Sequence, residues 1–365
     1  MHKVILKKPD GRNLHLYSRK PIPDGIEAPT PNANPVLANP HLRWNPLRGE
    51  WVAYASHRQN RTFLPPAEYN PLAPIRSKEF PTELPQGAYD IAVFENLFPS
   101  LSPHAHEDPA HGAKDLYVEV KPAIGSCEVV VFSQDSSTTL GQMELSHIEL
   151  LLEVWADRYV EIGSRKEIQY VMPFENRGVE VGVTLNHPHG QIYSYPFIPP
   201  VAARELQNQK DHFDRTGRVL LEDVIRDEIQ DGRRMICDFE KAVCFVPAFA
   251  RYTYETWVAP KRASPSLATL TREERRDFAK ALKTIALKYD RMWNKTMPYL
   301  MVIRQAPTQG LEYPSVHVHA QFYPALRTPD RLKYLAGTET GAGMFANDSI
   351  PEEKAAELKA VEVTL

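Results

Sequence analysis

The sequence predicts an α+β fold made of two related halves, each an antiparallel sheet half-barrel with flanking helices, and three observations carry that prediction. From Cys127 onward the chain gives one pattern twice: strand, helix, strand, strand. Landmarks in the two copies keep one spacing, since Ser146 and Thr271 are 125 residues apart and His189 and His319 are 130 apart. Both copies also end on His-x-His-x-Gln followed by an apolar residue and Tyr, at His187 to Tyr193 and at His317 to Tyr323. The boundary falls between residues 1–205 and 206–365, with an extended proline-rich arm in the first part.

Taken in order, residues 3–17 read as a hairpin around the turn residues Asp10-Gly11. Fifteen of the 32 prolines precede residue 100, so this third of the chain consists of extended segments wrapped on something else. Trp51 to Ala55 and Ile91 to Phe94 are strands within it. In the first copy, Glu128 to Phe132 is a strand and Ser146-x-x-Glu149 reads as a capping box. The helix that follows places Ile148, Leu151, Leu152, Trp155 and Ile162 on one face. Ile168 to Met172 and Gly182 to Tyr193 supply the remaining strands. In the second copy, Thr256 to Ala259 precedes the capping box Thr271-x-x-Glu274 and a helix burying Phe278, Leu282, Ile285 and Tyr289. Tyr299 to Arg304 and Val316 to Phe322 close it. The charged segment Glu205 to Arg234 is helical and lies between the copies, and Pro351 to Ala360 is a short amphipathic helix.

Composition narrows the function. A net charge of -3 with dispersed basic residues leaves no footprint for nucleic acid or an anionic membrane. No apolar run is long enough to span a bilayer, and Met1 to Ile5 resembles neither a secretory signal nor a transit peptide. Three separated cysteines, Cys127, Cys237 and Cys244, form no disulfide framework, which makes a reducing cytoplasm the expected compartment. A serine hydrolase lacks its Gly-x-Ser-x-Gly here, and a P-loop its Gly-Lys-Ser/Thr.

The chemistry concentrates in Val183 to Tyr193. Alternate positions of a strand share a face, so His187, His189 and Gln191 are expected side by side, in a strand at an edge or opened by Pro188 and Gly190. An imidazole attacking phosphorus gives a reactive adduct, and a sugar phosphate leaving group needs no general acid. His189 is the candidate nucleophile, and Gln191 the donor to the non-bridging oxygens. His187 either orients the nucleophile through its backbone carbonyl or binds a metal with its ring. Arg58 and Arg61, three apart beside a strand end, suit a phosphate or remain solvated. His104, His106 and His111 belong to a polar loop or a metal site. The glycine-rich run Lys333 to Gly343 is a connector or a loop that closes over a polyhydroxylated substrate.

Asn186-His187-Pro188-His189-Gly190-Gln191 resembles the active-site motif of the galactose-1-phosphate uridylyltransferase family of the histidine-triad superfamily, and the similarity runs from about Arg43 to Asn347. The resemblance implies two tandem histidine-triad-like repeats, a homodimer, and ping-pong transfer of UMP between UDP-glucose and galactose 1-phosphate. It implies that His189 carries UMP, that Gln191 stabilises the uridylylated state, and that the chemistry needs no cofactor. It places Phe174, Asn176, Gly182 and Thr184 in the nucleotide-contacting run and Asn96 near the uridine. Arg58 and Arg61 become a phosphate-binding pair offered across a dimer interface, and Lys333, Tyr334 and Glu339 fall on the hexose loop. Two departures follow. Where many members hold a structural zinc with Cys-x-x-Cys and two histidines, Asn70 and Ala73 stand here, so that site is expected to be absent or rebuilt, with His187 held by hydrogen bonds. A second metal site of some members matches at Glu205 and His319, but Arg304 and Gln321 replace histidines, and the Arg304 charge is expected to stand in for the ion. Thr338 and Phe345 depart from the family's hexose loop. The alternatives are a nucleotide-sugar phosphorylase, a transferase for another base or hexose, and a non-catalytic nucleotide-binding protein.

Overall fold

A computed structural model describes residues 1–365 except 33, 37, 61–68, 78, 109, 111–116 and 311. The strands of the first half are β1 (His2–Lys7), β2 (Asn13–Ser18), β3 (His41–Asn45), β4 (Glu50–Tyr54), β5 (Ile91–Glu95), β6 (Val120–Pro122), β7 (Ser126–Val131), β8 (Tyr170–Arg177) and β9 (His189–Tyr195), with helix α1 (Leu145–Gly163) between β7 and β8. Helices α2 (Pro200–Thr216) and α3 (Leu220–Asp231) follow. The second half contains β10 (Met235–Asp238), β11 (Ala242–Phe245), β12 (Thr256–Pro260), α4 (Arg272–Arg291), β13 (Tyr299–Arg304), β14 (His319–Pro324) and α5 (Pro351–Ala360).

Eleven of these strands form one antiparallel sheet, in the order β1-β2-β5-β7-β9-β8-β13-β14-β12-β11-β10. The halves are joined edge to edge where β8 pairs with β13, from Tyr299 opposite Arg177 to Val302 opposite Phe174. Outward from that seam the connectivity is the same on both sides, β9 then β7 and β14 then β12. The strands β4, β3 and β6 make a small separate sheet.

Period-two alternation gives the large sheet one dry face. Val130, Ile192, Val171, Met301, Ala320 and Val258 pack there against Ile148, Leu152 and Trp155 of α1 and Phe278, Leu282 and Ile285 of α4. On β9 the buried residues are Gly190, Ile192 and Ser194, and the half-buried His189, Gln191, Tyr193 and Tyr195 point the other way. That other face carries a continuous row: Leu14, Phe94, Val129, Gln191, Phe174, Val302, Gln321, Trp257 and Phe245 are successive register partners.

Several expectations change. Helix α1 begins at Leu145 with Glu144 at its cap and no side-chain capping bond, so Ser146 lies inside the first turn, where its hydroxyl accepts from Arg19. Thr271 and Glu274 do form the reciprocal capping box of α4. The last strand of each copy starts only at the second histidine, His189 or His319. Residues 183–188 are irregular: Gly182 turns the chain at φ 82°, and Pro188 has no N–H to donate, although its carbonyl accepts from Phe132 at 3.0 Å. Nor is β9 an edge strand, since β7 and β8 flank it. Gly190 is required by protein packing, because a Cβ there would lie 2.7 Å from the Phe174 carbonyl oxygen and 2.8 Å from the Phe132 ring.

Glu175 projects from β8 into the dry face, where Tyr299 donates to it at 3.0 Å and burial pushes its carboxyl up to about 7 from 4.5. Between those values the folded protein holds a proton that the unfolded chain has released, so stability falls as pH rises through this window. Glu175→Gln is expected to remove most of that slope in urea unfolding followed from about pH 5 to about pH 8. An unchanged slope would show that another group produces it.

Candidate active site

His189 opens β9 and turns toward the face opposite the helices. Its Nδ1 lies 2.7 Å from the backbone oxygen of His187. A carbonyl oxygen only accepts, so Nδ1 carries the hydrogen and the neutral ring keeps its lone pair on Nε2. Gln191, two residues on, shares the face, and its Oε1 accepts from Asn96 Nδ2 at 3.5 Å. His189, Gln191, Asn96 and Thr184 line one cavity of about 190 Å³, together with Leu72, Glu83, Phe94, Phe98, Val129 and Leu185. An imidazole, a carboxamide and a set of apolar side chains thus line one cavity.

His187 is turned away from that cavity, contrary to the expectation of three side chains in register. It lies before the first strand residue, where Pro188 has broken the alternation. Its ring is buried, Nε2–H donates to the Ser133 carbonyl at 2.6 Å, and Nδ1 accepts from Asn70 Nδ2 at 2.9 Å. Burial lowers its pKa, in keeping with a neutral ring whose two nitrogens are both engaged. A zinc ion needs nitrogen lone pairs and thiolates. The His187 lone pair is taken by Asn70, Asn70 and Ala73 bring no thiolate, and this donor set does not fit zinc. His104 and His106 border a different cavity, of about 520 Å³, on the far side of Asn96, and His111 lies outside the described residues.

In the second copy of the motif the histidine and glutamine are bonded to each other, beside a separate cavity of about 260 Å³ lined by Glu205, Phe249, Trp257 and His319. His319 Nδ1 again meets a backbone oxygen, that of His317, at 2.9 Å. Its Nε2, however, accepts from Gln321 Nε2 at 2.9 Å, and its ring stacks on Trp257 with centroids 4.9 Å apart. Burial drives its pKa down to about 4. Arg304 Nε stands 3.3 Å from Glu205 and 3.1 Å from Gln321 Oε1, and Gln321 Nε2 also reaches Glu205 at 3.3 Å. Glu205, His319, Arg304 and Gln321 are therefore brought together, but a guanidinium inside the set and an imidazole without a spare lone pair do not fit a divalent cation.

The other expected residues divide. Phe174 is the register partner of Gln191, and its ring meets Tyr193 edge-on at 5.0 Å. Asn176 follows on the same face, and Gly182 is the exposed turn before Thr184. Arg58 lies behind the cavity, where it donates to the Phe98 carbonyl at 2.7 Å, and Arg61 is outside the described residues. Lys333 and Glu339 pair with each other at 3.2 Å in a loop that leaves Tyr334 exposed. Phe345 anchors that loop on Tyr252, 5.8 Å between centroids, and none of Lys333, Tyr334 and Glu339 lines the His189 cavity. Sequence reasoning missed the far wall, Tyr69, Pro71, Leu72 and Glu83. These residues belong to the proline-rich arm, and only the Asn70 position hinted that the arm reaches the site.

The N-terminal domain description of galactose-1-phosphate uridyl transferase matches residues 32–199, and its C-terminal domain description matches residues 205–364. The chain belongs to the galactose-1-phosphate uridylyltransferase family. A galactose-1-phosphate uridylyltransferase of Thermotoga maritima is 35% identical over 325 residues, covering 89% of this chain and 99% of that protein. One from Rattus norvegicus is 31% identical, covering 87% of each. Among solved structures, a uridylyltransferase superposes with a TM-score of 0.78 at 31% identity, covering 88% of this chain and 98% of the other. An ADP-glucose phosphorylase from Arabidopsis thaliana, 24% identical with a TM-score of 0.66, has the same fold. The family is one of nucleotidyltransferase enzymes, and among the described residues no helix is long and apolar enough to cross a membrane.

The Asn70 contact yields a direct test. Asn70→Leu removes the side-chain donor to His187 Nδ1 and is expected to cost about 1–3 kcal/mol in urea unfolding. A change within error would mean that water replaces the amide.

Proposed function

We propose that this chain transfers UMP from UDP-glucose to galactose 1-phosphate through a uridylyl group held on His189. The observation that carries the reading is the hydrogen bond from His189 Nδ1 to the His187 carbonyl, which leaves the lone pair on Nε2 in a cavity shared with Gln191. In the first half-reaction Nε2 bonds to the α-phosphorus of UDP-glucose. The phosphoanhydride P–O bond breaks, and its electron pair leaves on glucose 1-phosphate. The adduct ring is cationic, and its Nδ1–H makes a charge-assisted bond to the His187 oxygen. Gln191 donates amide hydrogens to the non-bridging oxygens as charge builds on them. An oxygen of galactose 1-phosphate then attacks phosphorus, the P–N bond breaks, and UDP-galactose departs with the ring restored. Phe174, Asn176, Gly182 and Thr184 would bound the nucleotide.

Residues 1–205 and 206–365 are read as two histidine-triad-like repeats, a reading supported by the equal order β7-α1-β8-β9 and β12-α4-β13-β14. A homodimer is proposed because the hexose loop with Lys333, Tyr334 and Glu339 lies outside the cavity of its own chain. A second copy would then also receive Arg58 and Arg61. A cytoplasmic setting suits the three free thiols. The two metal sites of other members are replaced here by the Asn70–His187 bond and by Arg304, so the chemistry is proposed to run without metal.

Incubation with UDP-glucose alone is expected to add one acid-labile UMP to wild type and none to His189→Ala, read by intact mass. Wild-type protein that stays unmodified would leave only a nucleotide binder. Labelling by ADP-glucose in preference to UDP-glucose would reassign the base. Elemental analysis of active protein is expected to find zinc well below one equivalent, with transfer retained after chelation. Loss of activity on chelation and its return with zinc would overturn the metal-free reading.

A further inference from the structure

A carboxamide has two unlike ends, and Gln191 can steady phosphate oxygens only if its NH₂ end faces them. We infer that Asn96 sets this polarity and is a positioning residue for Gln191. The chain of constraint begins in the backbone. The Phe98 N–H donates to Asn96 Oδ1 at 2.8 Å, and an N–H can only donate, so the Asn96 oxygen is turned toward Phe98. Its Nδ2 is then the end presented to Gln191, 3.5 Å from Oε1. Gln191 must answer with oxygen, which leaves its NH₂ end for the cavity it lines with His189. Asn96 is itself fixed, because its own N–H donates to the Cys127 carbonyl at 2.8 Å.

The second copy of the motif shows the same device independently. There Arg304 Nε donates to Gln321 Oε1 at 3.1 Å and Tyr323 donates to the same oxygen, and the NH₂ end of Gln321 is thereby delivered to the Nε2 of His319 at 2.9 Å. In both copies an outside donor holds the glutamine oxygen. In the second copy the amide nitrogen lands on the histidine that corresponds to His189. The register makes the comparison direct, because Gln191 and Gln321 stand in one transverse row of the sheet with only Phe174 and Val302 between them. Asn96 thus does for Gln191 what an arginine and a tyrosine do for Gln321.

This inference rests on His189 as the acceptor of UMP, and the experiment separates the two. Single-turnover labelling of His189 by UDP-glucose is followed in wild type, Asn96→Asp, Gln191→Ala and the double variant, with the dissociation constant for UDP-glucose measured on each. The aspartate keeps an oxygen for the Phe98 N–H but offers Gln191 only an acceptor, so the amide turns over and presents oxygen to the phosphate. Asn96→Asp is expected to slow labelling by about 100-fold, the usual effect of losing one such donor. In the Gln191→Ala background the same change is expected to alter the rate less than about threefold, because neighbours that act through one another are not additive. An equal factor in both backgrounds would assign Asn96 or its new charge to the substrate directly and overturn the relay, and so would a normal rate in Asn96→Asp. Asn96→Ser, which keeps a short acceptor and adds no charge, runs the same cycle if the aspartate variant does not fold. Absence of label in wild type would instead remove the nucleophile assignment on which the relay stands.

Discussion

The ladder between β8 and β13 is the constraint on which the rest of this molecule depends. Backbone hydrogen bonds join the two halves into one sheet, with Phe174 opposite Val302 and Asn176 opposite Leu300. Pairing at any odd offset would send Phe174 and Asn176 into the helical layer and Glu175 into the cleft, since side chains alternate with period two. Register also aligns the two glutamines in one row and, through the alternating strand directions, puts His189 and His319 on opposite sides of it. One face of the sheet is thereby committed to α1 and α4, and the other carries the His189 cavity on one side of the seam and the His319 cluster on the other.

The two motif copies diverge through their neighbours rather than through the motif. Both hold a histidine by Nδ1 on the carbonyl two residues earlier, at 2.7 Å and 2.9 Å. Around His189 the walls are apolar and open to a cavity. Around His319 the ring stacks on Trp257, and Glu205, Arg304 and Gln321 form a hydrogen-bonded cluster beside a second cavity. A buried imidazole whose lone pair is already satisfied has nothing to offer phosphorus. The two rings differ in their surroundings, an amide and an indole at His319 and an apolar cavity wall at His189.

Much of this was legible in the sequence. The repeated strand and helix order, the offset of the two motifs and the Thr271 capping box follow from periodicity and local hydrogen bonding, which act over a few residues and leave a pattern. The candidate site was legible where its residues occupy alternate positions of one strand, as His189 and Gln191 do in lining one cavity. Three things were not. Ser146 resembled a cap because its spacing to Glu149 is right, but helix ends are set by where the backbone turns, and that happened at Glu144. Alternation carried through Pro188 would put His187 on the ligand face, but Pro188 interrupts it. The arm that supplies Leu72 and Glu83 has no periodicity at all, so its destination depends on tertiary contacts that no short stretch encodes.

The bond between Asn70 and His187 spans 117 residues of sequence. Strand pairing from β7 to β14 needs no part of the proline-rich arm, whereas the carbonyl that governs the His189 tautomer belongs to the residue this arm clasps. His187 is thus held from two directions, by the Ser133 carbonyl just beyond β7 and by the Asn70 amide of the arm. Closing a loop of that length costs conformational entropy, so the placement of the His189 ring draws on a contact remote in sequence as well as on its own strand.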